Sequence, residues 1–170
     1  IKILLNLVQA DAGEVSLFGL HPQDSKSREK VGYLPELPGF WPELSAEEML
    51  HFVASLRGHG SSKKIAPLLS SLGLKVRASR KMSGFSKGML QRVGIAITLL
   101  NDPELIILDE PMSGLDPRAQ EKFRMILKNQ RSEGKTLLIS SHALEDIRSL
   151  CSRVIVLEKS RITLDGPTET

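Results

Sequence analysis

Cysteine is almost absent: Cys151 is the only one in 170 residues. That excludes an internal disulfide framework and any cysteine-based metal cluster, and makes a reducing, cytosolic setting the default. Aromatic residues amount to 4%, with one Trp and one Tyr, too few for a base-stacking surface. No apolar run approaches the ~20 residues that cross a bilayer. The opening residues 1–8 are too short, and lack the small-residue cleavage site, to read as a signal peptide. A large excess of one charge is missing too, since 23 Lys+Arg against 20 Asp+Glu leave a formal +3. The basic groups Lys26/Arg28/Lys30, Lys63/Lys64 and those in 75–87 read first as solvated faces. Anionic headgroups or phosphates are their natural partners, with nucleic acid a weaker one. What remains is 41% hydrophobic and 25% charged, an ordinary balance for one globular domain without repeats or low-complexity segments.

The hydrophobic pattern alternates between strand and helix. Ile3, Leu4, Leu7 and Val8 share a helical face with no cap before it, so the chain reads as entering a helix midway. Residues 14–18 alternate like a short strand, and 31–34 form another, cut by Pro35. Ser45 with Glu48 is a capping-box pair opening a helix that carries Met49, Leu50, Phe52, Val53 and Leu56 and stops at Gly58 and Gly60. A short helix over 65–72 is disturbed by Pro67 and closed by Gly73, and a long one starts at Ser86 and runs to the Asn101-Asp102-Pro103 breaker. Asp116-Pro117 is a cap followed by an N1 proline, its helix ending at Gly134. Buried strand 136–140, helix 143–150, strand 153–157 and a strand at 162–165 that pairs back complete the order. The expected fold is α/β, a mainly parallel sheet flanked by helices. Residues 1–42 and 101–170 supply the core, and 43–100 an inserted helical subdomain.

The chemistry collects where strands end. Leu105-Ile-Ile-Leu-Asp109-Glu110-Pro111 is a doubly buried parallel strand delivering two carboxylates and a stop. Ligands of open α/β sheets sit beyond such carboxyl ends. One acid there can serve a metal while its neighbour handles a water, as nucleoside triphosphate hydrolysis requires. Glu36 follows strand 31–34 and His142 follows 136–140, so parallel neighbours would bring both to the same rim, suited to Mg²⁺ and a transferring phosphate. Taken singly, a solvated glutamate or a helix-start histidine is the plainer reading of each. Ser86-Lys87-Gly88-Met89 opens the long helix. Serine is an ordinary cap there, yet exposed N–H groups, a lysine and a glycine also make an anion site.

In order and spacing, Phe85-Ser-Lys-Gly-Met-Leu-Gln-Arg92, Leu105-Ile-Ile-Leu-Asp-Glu-Pro111, Ser113-Gly-Leu-Asp116 and Ser140-Ser-His142 resemble the signature, Walker B, D-loop and switch-histidine segments of the ATP-binding-cassette ATPases. Val31-Gly-Tyr-Leu-Pro-Glu36 resembles their Q-loop. The resemblance covers nearly the whole chain and implies a P-loop NTPase-like subunit that pairs head to tail with a second ATPase subunit, two ATP molecules between them. By it, Asp109 would hold Mg²⁺ through water, with Glu36 as a further Mg²⁺ contact, and Glu110 would be the general base. His142 would meet the γ-phosphate, while Ser86, Lys87, Gly88 and Met89 would reach the partner's nucleotide and Asp116 would communicate across the interface. A separate transmembrane permease subunit is implied, with this chain peripheral at the cytoplasmic face of the plasma membrane. A soluble cassette ATPase acting on nucleic acid or ribosomes, and a non-hydrolysing remnant, are the alternatives.

This chain departs from the family pattern at several points. Lys87 and Met89 stand where glycine and glutamine are commonest, a form similar to a bacterial exporter branch that handles drugs, antibiotics and lipids. Glu36 replaces a glutamine, and Met112 a small polar residue. No Gly-x-x-x-x-Gly-Lys-Ser/Thr occurs; Gly58-His-Gly60-Ser-Ser-Lys63 follows a helix and lacks the glycine before lysine. The family's phosphate loop precedes a helix like residues 1–8, so the chain is expected to begin just after it and its sheet to lack a central strand. Trp41, between prolines, is expected to cover the helical subdomain's core or, by the resemblance, to anchor a membrane partner.

Overall fold

A computed structural model describes residues 1–56 and 62–168. Strands β1 (Val31–Leu34), β2 (Leu105–Asp109) and β3 (Thr136–Ser140) form a parallel sheet in that spatial order. β4 (Arg153–Glu158) and β5 (Arg161–Pro167) make a separate antiparallel hairpin. Helices α1 (Ala46–Leu56), α2 (Ser62–Ser71) and α3 (Lys87–Leu99) separate β1 from β2. α4 (Pro117–Ser132) and α5 (Leu144–Leu150) follow β2 and β3. The α/β architecture with a parallel sheet is therefore as expected.

β2 lies between its two neighbours, and Ile106, Ile107 and Leu108 are at most 1% exposed. Burying each contributes about 1.5–3 kcal/mol. Alternation sends Leu34, Ile106 and Leu108 to the face that packs on Val93, Phe123 and Leu127. Val31 and Ile107 face the other way, onto Leu5 and Leu17. α3 closes on β1 at Gly32, where a Cβ would come within 2.4 Å of the Thr98 carbonyl. The Thr98 hydroxyl donates to the Tyr33 carbonyl at 3.0 Å. β1, α3 and β2 thereby become one rigid block beneath the acidic strand end.

The local signals behaved as physical chemistry requires. Glu48 accepts from the Ser45 amide at 2.8 Å, and the Ser45 hydroxyl receives the Glu48 amide at 3.2 Å, closing the capping box before α1. Asp116 caps α4 through the Ala119 amide at 2.9 Å, and Gly73 and Gly134 take positive φ after α2 and α4. The end of α1 at Gly58 and Gly60 lies outside the described residues, as does most of the Gly58-His-Gly60-Ser-Ser-Lys63 segment.

Three expectations are corrected. Residues 1–8 form turns rather than a helix, broken at Asn6 with φ 56°; Leu5 is buried while Ile3, Leu7 and Val8 are exposed. Two turns of amphipathic sequence do not repay helix nucleation without a packed face. Residues 14–18 are no strand: Leu17 and Leu20 exchange two 2.9 Å hydrogen bonds around a tight turn with positive φ at Phe18 and Gly19. Pairing stops there, because no neighbouring strand lies alongside among the described residues. β3 is half-exposed rather than buried, with Leu138 39% accessible, since the layer on Ile107 does not extend across it.

Candidate active site

β2 and β3 end in register, Asp109 opposite Ser140, and their last polar groups meet. The Ser140 hydroxyl donates to the Asp109 carboxylate. Glu110 then takes φ 46°, a left-handed conformation that costs a non-glycine residue about 1–3 kcal/mol. Its amide donates to the Ser140 carbonyl at 3.0 Å, which anchors the turn to β3. The turn swings the Glu110 carboxylate onto His142, with Nδ1 2.9 Å from Oε2. The hydrogen bond to Glu110, then that residue's charge, holds the His142 imidazolium to higher pH than a free histidine. His142 is 89% exposed and Glu110 27%, so the pair sits at the rim with one side open to solvent.

Glu36 is exposed. Leu34 aligns with Leu108, so Glu36 belongs to the same edge as Glu110. Yet among the described residues no hydrogen bond or ion pair joins it to Asp109, Glu110 or His142. Of the four expected rim residues, Glu110 and His142 meet directly, Asp109 is held by Ser140 instead, and Glu36 follows the neighbouring strand. Among the described residues there is no group of three His, Cys, Asp or Glu fit to cage a metal. One carboxylate and one hydroxyl, Asp109 and Ser140, are hard oxygen donors. They fit a Mg²⁺ that takes its remaining ligands from phosphate and water, the usual arrangement at nucleotide sites.

A second unit surrounds the start of α3. Ser86 caps the helix by accepting from the Met89 amide at 3.3 Å. The Lys87 ammonium donates to the Ser113 hydroxyl at 3.1 Å. Gly88 is close-packed: a Cβ there would lie 2.6 Å from the Gly114 carbonyl, so the glycine admits backbone of the same chain. Arg92 pairs with Asp116 at 2.8 Å, and the Ala119 amide, together with this guanidinium, lowers the Asp116 pKa. Met89 is half-buried, within 3.9 Å of an Arg77 nitrogen at its sulfur. The segment 113–116 is thus strapped to α3 through Lys87, Gly88 and Arg92. Sequence reasoning missed Ser140, Arg92 and Gln91 as site-supporting residues, although all three stand inside quoted motifs. Met112 has a plain structural reason, being 8% exposed within the main core. In the loop after β1, Phe40 packs on that core, while Trp41 stays 52% exposed against the edge of Phe52, ring centroids 5.0 Å apart. The covering role expected of Trp41 falls to Phe40.

The sequence model of the ABC transporter family matches residues 1–113. The chain belongs to this family. An uncharacterized ABC transporter ATP-binding protein of Synechocystis is 38% identical over 98% of this chain and 48% of its own length. The Nod factor export ATP-binding protein I of Burkholderia pseudomallei is 34% identical, covering 98% of this chain and 56% of its own. The chain spans about half the length of these curated relatives. A solved ATP-binding subunit of an ABC transporter superposes with a TM-score of 0.90 at 32% identity, over 98% of this chain and 71% of that one.

Proposed function

We propose that this chain carries the hydrolytic half of the ATP-binding subunit of an ABC exporter, which energises a separate transmembrane permease. The observation that carries the reading is the Glu110 carboxylate, held by His142 at 2.9 Å beside Asp109 at the end of a buried parallel strand. Glu110 takes the proton of the attacking water, and a positioned base contributes ~10²–10⁴ in rate, about 3–5 kcal/mol. His142 has Nδ1 committed to Glu110, which leaves Nε2 for a γ-phosphate oxygen. Asp109, braced by Ser140, is the residue that would hold Mg²⁺, whose chemistry is neutralisation of phosphate charge. Glu36, on the same edge, would add a second carboxylate through water.

Ser86, Lys87, Gly88 and Met89 serve the nucleotide of a second ATPase subunit paired head to tail, and Asp116 reports across that interface. Residues 43–100 act as the helical subdomain that presents them. The exposed pair Trp41 and Phe52, with Leu37 69% exposed, supports a permease contact at the entrance to this subdomain. None of the described helices is long and apolar enough to cross a membrane, consistent with a peripheral place at the cytoplasmic face. The export relative supports the direction of transport. Glu110→Gln, in the polypeptide of the complete reading frame, is expected to lower ATP turnover at least ~100-fold while preserving ATP-dependent dimerisation. Normal phosphate release by that variant would refute the assignment.

A further inference from the structure

Gln91 is 1% exposed, an unusual place for an amide. Its Nε2 donates to the Pro111 carbonyl at 3.1 Å, across twenty residues of sequence. Only the nitrogen of an amide can face a carbonyl, so this bond fixes the orientation and leaves Oε1 without a partner among the described residues. A leucine or methionine of similar volume would avoid that orphaned acceptor. The site therefore tolerates a stability cost to keep one donor.

What the donor holds is the turn of Glu110. The Glu110 amide is tied to the Ser140 carbonyl on β3, and its φ is 46°. The ring of Pro111 fixes the next φ, so once the Pro111 carbonyl is anchored the backbone after Glu110 has little freedom left. We propose that Gln91 is a positioning residue for hydrolysis: it clamps the Pro111 carbonyl and thereby keeps the Glu110 carboxylate aimed at the strand-end rim. The clamp comes from α3, the helix that begins at Ser86–Met89, so the base and the signature segment move as one unit. This rests on the reading of Glu110 as general base.

The test uses the complete reading-frame polypeptide and inorganic-phosphate release, with thermal unfolding measured alongside. Gln91→Met removes the donor and the orphaned acceptor together. The expected result is a kcat roughly 10–100-fold lower, a KM for ATP within about twofold, and a Tm no lower than the parent's. Gln91→Glu supplies a donor only when protonated, so its activity relative to the parent should rise as pH falls. A Gln91→Met kcat within about twofold of the parent's, while Glu110→Gln abolishes turnover, would overturn the clamp and spare the base reading. So would a Gln91→Glu ratio that is flat with pH, which also decides the matter if Gln91→Met does not fold. Undiminished hydrolysis by Glu110→Gln would remove the base itself, and the clamp with it.

Discussion

Gly88 opens α3 where an added Cβ would point at the Gly114 carbonyl, so its lack of a side chain has a structural reason besides any approach to phosphate. That packing has a measurable consequence. In an isolated helix, glycine to alanine would gain up to about 1 kcal/mol. Here the added methyl would meet backbone at 2.6 Å, and backbone cannot swing aside as a flexible side chain can. Overpacking costs about 1–3 kcal/mol, so the steric term wins. Gly88→Ala is expected to destabilise the fold by about 1–2 kcal/mol in urea unfolding; a gain in stability would show that the 113–116 segment yields freely. The same residue scale explains Glu110 and His142, whose contact depends on one left-handed turn rather than on either side chain's own preference.

Among the elements, α4 and α5 are tied by charge as well as by packing. Asp146 is 2% exposed and receives the Arg124 guanidinium at 2.9 Å, while Arg131 donates to the Leu150 carbonyl at 3.0 Å. Removing one partner of such a pair leaves the other buried and uncompensated, at a cost of about 3–5 kcal/mol. Arg124→Ala should lose about that much in denaturant unfolding. The double variant Arg124→Met with Asp146→Leu should recover most of the loss, because no charge remains buried. Equal losses in both would assign the effect to packing. This tie was invisible beforehand, since its members are 22 residues apart and each looks like an ordinary surface charge. The Ser45–Glu48 box, by contrast, is local and was legible at once.

At the scale of the molecule, the rim chemistry is present without a glycine-rich phosphate cradle anywhere in the 170 residues. Nucleotide affinity in such sites comes from a loop of backbone N–H groups and a lysine around the β- and γ-phosphates. One histidine and one acidic pair do not replace it. As an isolated polypeptide these 170 residues are expected to show no saturable heat with Mg-ATP up to about 1 mM, an affinity weaker than roughly −4 kcal/mol. Tight binding in that calorimetric titration would contradict the argument. Among the described residues β3 pairs with β2, and β4–β5 forms a separate hairpin. Ile155, Leu157 and Ile162 are more than half exposed.

The order of patterns by itself determined the parallel α/β sheet, the strand at 105–109 with its paired carboxylates, and the caps at Ser45, Ser86 and Asp116, because each is a short-range property of period, turn chemistry or hydrogen-bonding reach. It could not decide whether residues 1–8 and 14–18 become helix and strand, since so short a segment takes regular structure only against a packed neighbour. Nor could it decide which rim residues touch. The β2–β3 register and the left-handed Glu110 put His142 on Glu110 and Ser140 on Asp109, while among the described residues no hydrogen bond or ion pair joins Glu36 to them. Gln91 and Arg124 acquired their roles in the same way, from partners about twenty residues distant that only chain packing brings within 3 Å or so.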